Sequence, residues 1–111
     1  MKRGELYVAA AGSGYVGKPR PVLIVHDDAL TGLESVIVCP LSTASPVLEP
    51  LRVEIPATGA TGLDQPCAIM LDKVSAISRS KIGPYVGVAD ASVMRLVTRG
   101  LATVLGFGQT T

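Results

Sequence analysis

A mainly β domain with one helix at its C-terminal end is predicted by three features of this sequence. Short apolar runs rich in Val and Ile recur along most of the chain, and such residues favour pleated, half-buried strands. Twelve glycines and eight prolines punctuate those runs, as turns require. Only the final stretch changes period, from alternation to helical spacing. The chain has 111 residues, enough for one domain spanning 1–111 and no second. Hydrophobic residues make up 48% of it, too many for a disordered chain.

The elements follow in order. Leu6 to Ala11 is a first strand, closed by Gly12-Ser13-Gly14. Pro21 to Val25 is a second, ending at the polar cluster His26-Asp27-Asp28, and Ser35 to Leu41 is a third. Leu51 to Ile55 alternates between Pro50 and Pro56, which marks an edge strand. Cys67 to Leu71, Val74 to Ile77 and Tyr85 to Val88 complete the set. Strands so closely and regularly spaced suit a small barrel or sandwich. Asp90 then caps a helix whose stripe is Val93, Leu96, Val97, Leu101 and Val104, and Gly106 and Gly108 stop it.

Composition excludes several functions. A net charge of +1 disfavours long non-specific wrapping of duplex DNA, which needs many phosphate contacts. Cys39 and Cys67 lie far apart without a histidine cluster, so they read as reduced, buried thiols of a cytoplasmic protein rather than a zinc site. The opening Met1-Lys2-Arg3-Gly4-Glu5 is no signal peptide, and no apolar run is long enough to span a bilayer.

One loop holds two decoys. Gly12, Gly14 and Gly17 spell a dinucleotide-binding fingerprint, and Gly12 to Lys18 spells most of a phosphate-binding P-loop. Both chemistries need a helix to start there, because its free N–H groups hold the phosphate. Pro19, Pro21 and an aliphatic strand follow instead, which leaves a glycine-rich loop from which Lys18 can reach a phosphate.

The second and third runs carry the chemistry. Pairing them antiparallel in the symmetric register sets Asp27 opposite Ser35 and therefore Arg20 opposite Ser42. Directly opposed residues share a face, with Cβ atoms about 5 Å apart. A guanidinium and a hydroxyl then converge at the sheet end, a pair suited to a phosphate. A slip of one residue would break the pair, and Thr43 is the alternative hydroxyl. His26 has a suitable intrinsic pKa but lies roughly 20 Å along an extended strand from Arg20, so a turn-capping role is expected for it. Tyr15 and Tyr85 are the rings available for stacking on unpaired bases.

These residues carry a family resemblance. Lys2 to Tyr7, Gly17-Lys18-Pro19-Arg20-Pro21 with its aliphatic strand, Val36 to Ser42, Leu71-Asp72-Lys73 to Ile77, Lys81-Ile82-Gly83 and the final helix resemble, in order and spacing, the MazF/PemK toxins. The resemblance implies an SH3-like barrel of the CcdB/MazF type, forming a homodimer. It implies sequence-selective cleavage of single-stranded RNA, and restraint by an antitoxin protein. Arg20 and Ser42 are then the catalytic residues, with Asp72 contributing as it does in some members; Tyr15, Lys18, Thr43 and Tyr85 are the expected RNA contacts. RNA supplies its own 2′-OH nucleophile, so the expected reaction needs no metal and no cofactor. The chain departs from the family where Gly14-Tyr15-Val16 replaces polar loop residues and where Ser42 replaces the commoner Thr. The rival reading is a non-catalytic binding module of the same fold, such as a gyrase poison. The C-terminal end, Gly108-Gln109-Thr110-Thr111, lacks the aromatic tail of that class.

Overall fold

The structure is a computed structural model that describes residues 1–10, 19–30 and 32–107. Among the described residues, seven strands and one helix occur in the order β1 (Glu5–Ala9), β2 (Arg20–Ile24), β3 (Ser35–Ser42), β4 (Arg52–Ile55), β5 (Cys67–Met70), β6 (Ser75–Ser78), β7 (Ile82–Val88) and α1 (Ala91–Val104). Single 3-10 turns at Leu71–Lys73 and Arg79–Lys81 follow β5 and β6. The sheet order is β4-β5-β3-β2-β1-β7, with β6 pairing β3, and every pairing is antiparallel. The sheet curls but does not close: β6 and β7, at its two sides, are joined by the Arg79–Lys81 turn rather than by a ladder.

Alternation along the strands sorts the core into two layers. Leu6, Leu23, Val25, Cys39, Leu41, Val53, Ile55, Cys67 and Ile69 point to one face and meet Val93 and Val97 of α1. Ala9, Val22, Ile24, Val36 and Val38 point to the other, where Tyr7, Ile77 and Ile82 pack over them. Helix α1 begins where expected: the Asp90 side chain accepts from the Val93 N–H at 2.9 Å. Its small residue Gly100 lies hard against the turn before β4, where a Cβ would stand 2.4 Å from the Pro50 carbonyl oxygen.

One boundary differs from expectation in an informative way. β4 lies at the sheet edge, as its flanking prolines require. β7 starts at Ile82, not Tyr85, despite Gly83 and Pro84. Ala9 pairs with Ile82 and Tyr7 with Tyr85, so the two residues Gly83 and Pro84 face Val8 alone. This bulge accommodates a proline that a regular ladder would reject. The loop before β5 then covers β7: the Val88 N–H donates to the Ala60 carbonyl, and a side chain at Gly87 would collide with the Thr61 carbonyl oxygen at 2.2 Å.

Candidate active site

The β2–β3 register is the one inferred from the hairpin. Val22 pairs with Pro40, Leu23 with Cys39 and Ile24 with Val38. The ladder ends at Val22–Pro40, where Pro21 and Pro40 offer no N–H. Two residues further along the same register, Arg20 begins β2 opposite Ser42, the last residue of β3. Alternation puts both on the face of Val22, Ile24, Val36 and Val38.

The neighbouring ladders extend this pair into a row across the sheet. Arg20 pairs with Ala9 of β1, which pairs with Ile82 of β7. Ser42 pairs with Ala68 of β5, which pairs with Glu54 of β4. One face therefore presents, strand by strand, Ile82, Ala9, Arg20, Ser42, Ala68 and Glu54. Arg20 and Glu54 are exposed, and Ser42 is half-buried.

Ser42 is both a turn residue and a potential donor. Its Oγ accepts from the Ala44 N–H at 3.1 Å and the Ser45 N–H at 3.2 Å. A hydroxyl has two acceptor lone pairs and one proton. With the acceptor side engaged by backbone, the proton is directed elsewhere, which suits binding an anion better than taking a proton. Thr43 is exposed in the turn that follows.

Asp72 lies in the turn after β5, clamped by Arg52 of β4. Arg52 Nε donates to Oδ1 at 3.2 Å and Nη2 to Oδ2 at 3.1 Å. The Arg52 hydrogen bonds hold its carboxyl below the usual range, against a small desolvation effect. Arg52 lies 20 residues away in sequence and is brought close because it pairs with Met70. Sequence reasoning passed over Arg52. Its only signal was an outward position in the alternating Leu51–Ile55 run.

Tyr85 is 55% exposed and meets the edge of Tyr7, with ring centroids 5.6 Å apart. Tyr7 donates its hydroxyl to Glu5 Oε1 at 2.9 Å, and burial together with that carboxylate pushes its pKa up to about 12. Tyr7 stands opposite Val22, two residues along β1 from Ala9, so the ring pair borders the Arg20 row. Tyr15 and Lys18 lie outside the described residues.

His26 is buried, with Nδ1 3.1 Å from the Asp27 carbonyl oxygen and Nε2 without a partner among the described residues. The turn it precedes is capped by Asp27, whose carboxylate accepts from the Ala29 N–H, and by Asp28, which accepts from the Arg3 N–H. Cys39 and Cys67 are free and buried. Among the described residues no group of three His, Cys, Asp or Glu side chains is placed to hold a metal ion, and no helix is long and apolar enough to cross a membrane.

The fold is that of a known family of proteins. Residues 2–105 match the family described as PemK-like, MazF-like toxin of type II toxin-antitoxin system, and the chain belongs to it. It is 42% identical over 106 residues to a probable endoribonuclease MazF of Mycolicibacterium smegmatis, covering 96% of this chain and 97% of that protein. The fold is similar to that of the Mycobacterium tuberculosis toxin MazF-mt6, with a TM-score of 0.79 at 23% identity over 95% and 99% of the two chains. It is similar also to a mycobacterial endoribonuclease solved in complex with its cognate antitoxin, with a TM-score of 0.77 at 22% identity over 99% of each chain.

Proposed function

We propose that this single toxin domain is a metal-independent, sequence-selective endoribonuclease that cuts single-stranded mRNA through attack by the 2′-OH. The products are a 2′,3′-cyclic phosphate and a 5′-hydroxyl. The observation that carries the reading is the β2–β3 register, which sets Arg20 and Ser42 opposite each other on one face at adjoining strand ends. The M. smegmatis relative, a probable endoribonuclease, supports RNA cleavage as the activity.

In-line displacement at phosphorus needs a positioned phosphate and compensation for charge developing on its oxygens. Arg20 supplies the charge, because a guanidinium forks onto two phosphate oxygens at once. Ser42 supplies a neutral donor aimed by its two backbone bonds. Asp72 enters through Arg52: clamped and held low in pKa, it is a weak proton acceptor, and its part is to fix the Arg52 guanidinium on the same side of β4 as Glu54. Tyr85, with Tyr15, Lys18 and Thr43, contacts the RNA on either side of the cut.

The protein acts in the cytoplasm as a homodimer, held in check by an antitoxin. The two buried free thiols suit a reducing compartment.

The test is incubation of purified protein with a long, weakly structured RNA in EDTA. Sharp fragments ending in cyclic phosphates are expected. Arg20→Ala and Ser42→Ala should each slow cutting by about 100-fold or more, whereas Ser42→Thr, which keeps the hydroxyl, should retain most activity. RNA left intact by the wild type, or cutting lost on chelation, would overturn the reading. Intact RNA together with inhibited gyrase would establish the binding-poison alternative.

A further inference from the structure

The geometry points to Glu54 as a specificity residue that reads a guanine beside the cut. This inference rests on the nuclease reading and deepens it. Glu54 sits in the same cross-strand row as the proposed phosphate-binding pair, two ladder steps from Ser42 through Ala68. Adjacent strands are about 4.8 Å apart, which puts Glu54 about 10 Å from Ser42 on the same face. That separation matches the reach from a phosphate to the far edge of its own nucleotide's base. Ala68 lies between them in the row. The neighbours of Glu54 along β4, Val53 and Ile55, are buried in the core, so the strand cannot rotate and the carboxylate is committed to the site face.

A carboxylate next to a polyanion's binding site repels the backbone and accepts hydrogen bonds only. It therefore favours a base that offers two donors side by side. On the Watson–Crick edge, guanine alone does so, with N1–H and N2–H matched to the two carboxylate oxygens. Adenine and cytosine pair their amino group with an acceptor nitrogen, and uracil flanks its one N–H with two carbonyls. Unpaired RNA bases are commonly read at this edge. The competing explanation is that Glu54 merely guards an edge strand against pairing with other chains. A lysine or glutamine would serve that purpose equally, and base preference would be indifferent to the change.

The experiment maps the 5′ ends of fragments cut by wild type and by Glu54→Gln, and repeats the assay on RNA with inosine, which lacks the N2 amino group, in place of guanine. Wild-type cuts should share a guanine at one constant position, and inosine there should slow cutting by about tenfold or more. Glu54→Gln should cut with that preference lost and no inosine effect. A wild type without the shared guanine, or a variant with unchanged preference and inosine sensitivity, overturns the inference while leaving the nuclease reading intact. Should the wild type cut no RNA, the nuclease reading falls, and Glu54 is then judged by anisotropy with short labelled guanine- and inosine-containing oligonucleotides. Discrimination that disappears in Glu54→Gln supports the role, and its absence in the wild type refutes it.

Discussion

Replacing Gly100 by alanine sets two effects of known sign against each other. Alanine is favoured over glycine inside a helix by about 0.8–1.0 kcal/mol, so on an open helix face the change would stabilise. At this position the new methyl would lie 2.2 Å from Leu71 Cδ1 and 2.4 Å from the Pro50 carbonyl oxygen. The Leu71 side chain is fully buried and the carbonyl is backbone, so neither yields readily. Restoring an ordinary contact requires the helix to retreat about 1 Å, which loosens Val93 and Val97 from the core. Overpacking of this kind costs about 1–3 kcal/mol, and more when backbone is involved. The net expectation is a loss of about 1–2 kcal/mol, read as a fall in Tm of roughly 5–10 °C. Circular dichroism during thermal and urea unfolding measures it. Because Leu71 precedes Asp72, the Arg52–Asp72 pair should loosen as well. An unchanged or raised Tm would refute the view that the helix is seated by this close approach.

Two other outcomes are expected. Asp72→Asn should cost roughly 0.2–1 kcal/mol at neutral pH, as for other partly exposed ion pairs. The native carboxyl pKa is depressed from 3.8, so the unfolded chain binds its proton first as pH falls. The contribution is complete above the ordinary value and disappears as pH drops through the native one; urea midpoints for both proteins across that range check it, and a gap that persists in acid contradicts it. Cys39, whose thiol burial pushes up to about 12, and Cys67, raised by the same cause, should resist alkylation at pH 8 until denaturant is added; rapid labelling of the native protein would contradict their placement.

The hairpin at the centre of the site was legible from the chain. The connection after His26-Asp27-Asp28 is short, and the symmetric register read from it is the one seen in Val22–Pro40, Leu23–Cys39 and Ile24–Val38. Carried two residues further, that register brings Arg20 level with Ser42. Asp90 as a helix cap and β4 as an edge followed from equally local rules. The β7 start did not, since Pro84 argues for a break and only the bulge opposite Val8 removes the conflict.

By itself, then, this sequence determined which residues lie on which face of each strand, because side-chain alternation and turn chemistry act over a few neighbours. Only the tertiary structure decided which strands lie side by side. Arg52 meets Asp72, Glu54 shares a row with Ser42, and Gly100 meets Pro50 through pairings and packing between distant segments. Lateral strand order is chosen by burial of the whole apolar surface against the entropy of closing long loops, a balance that no local pattern of residues records.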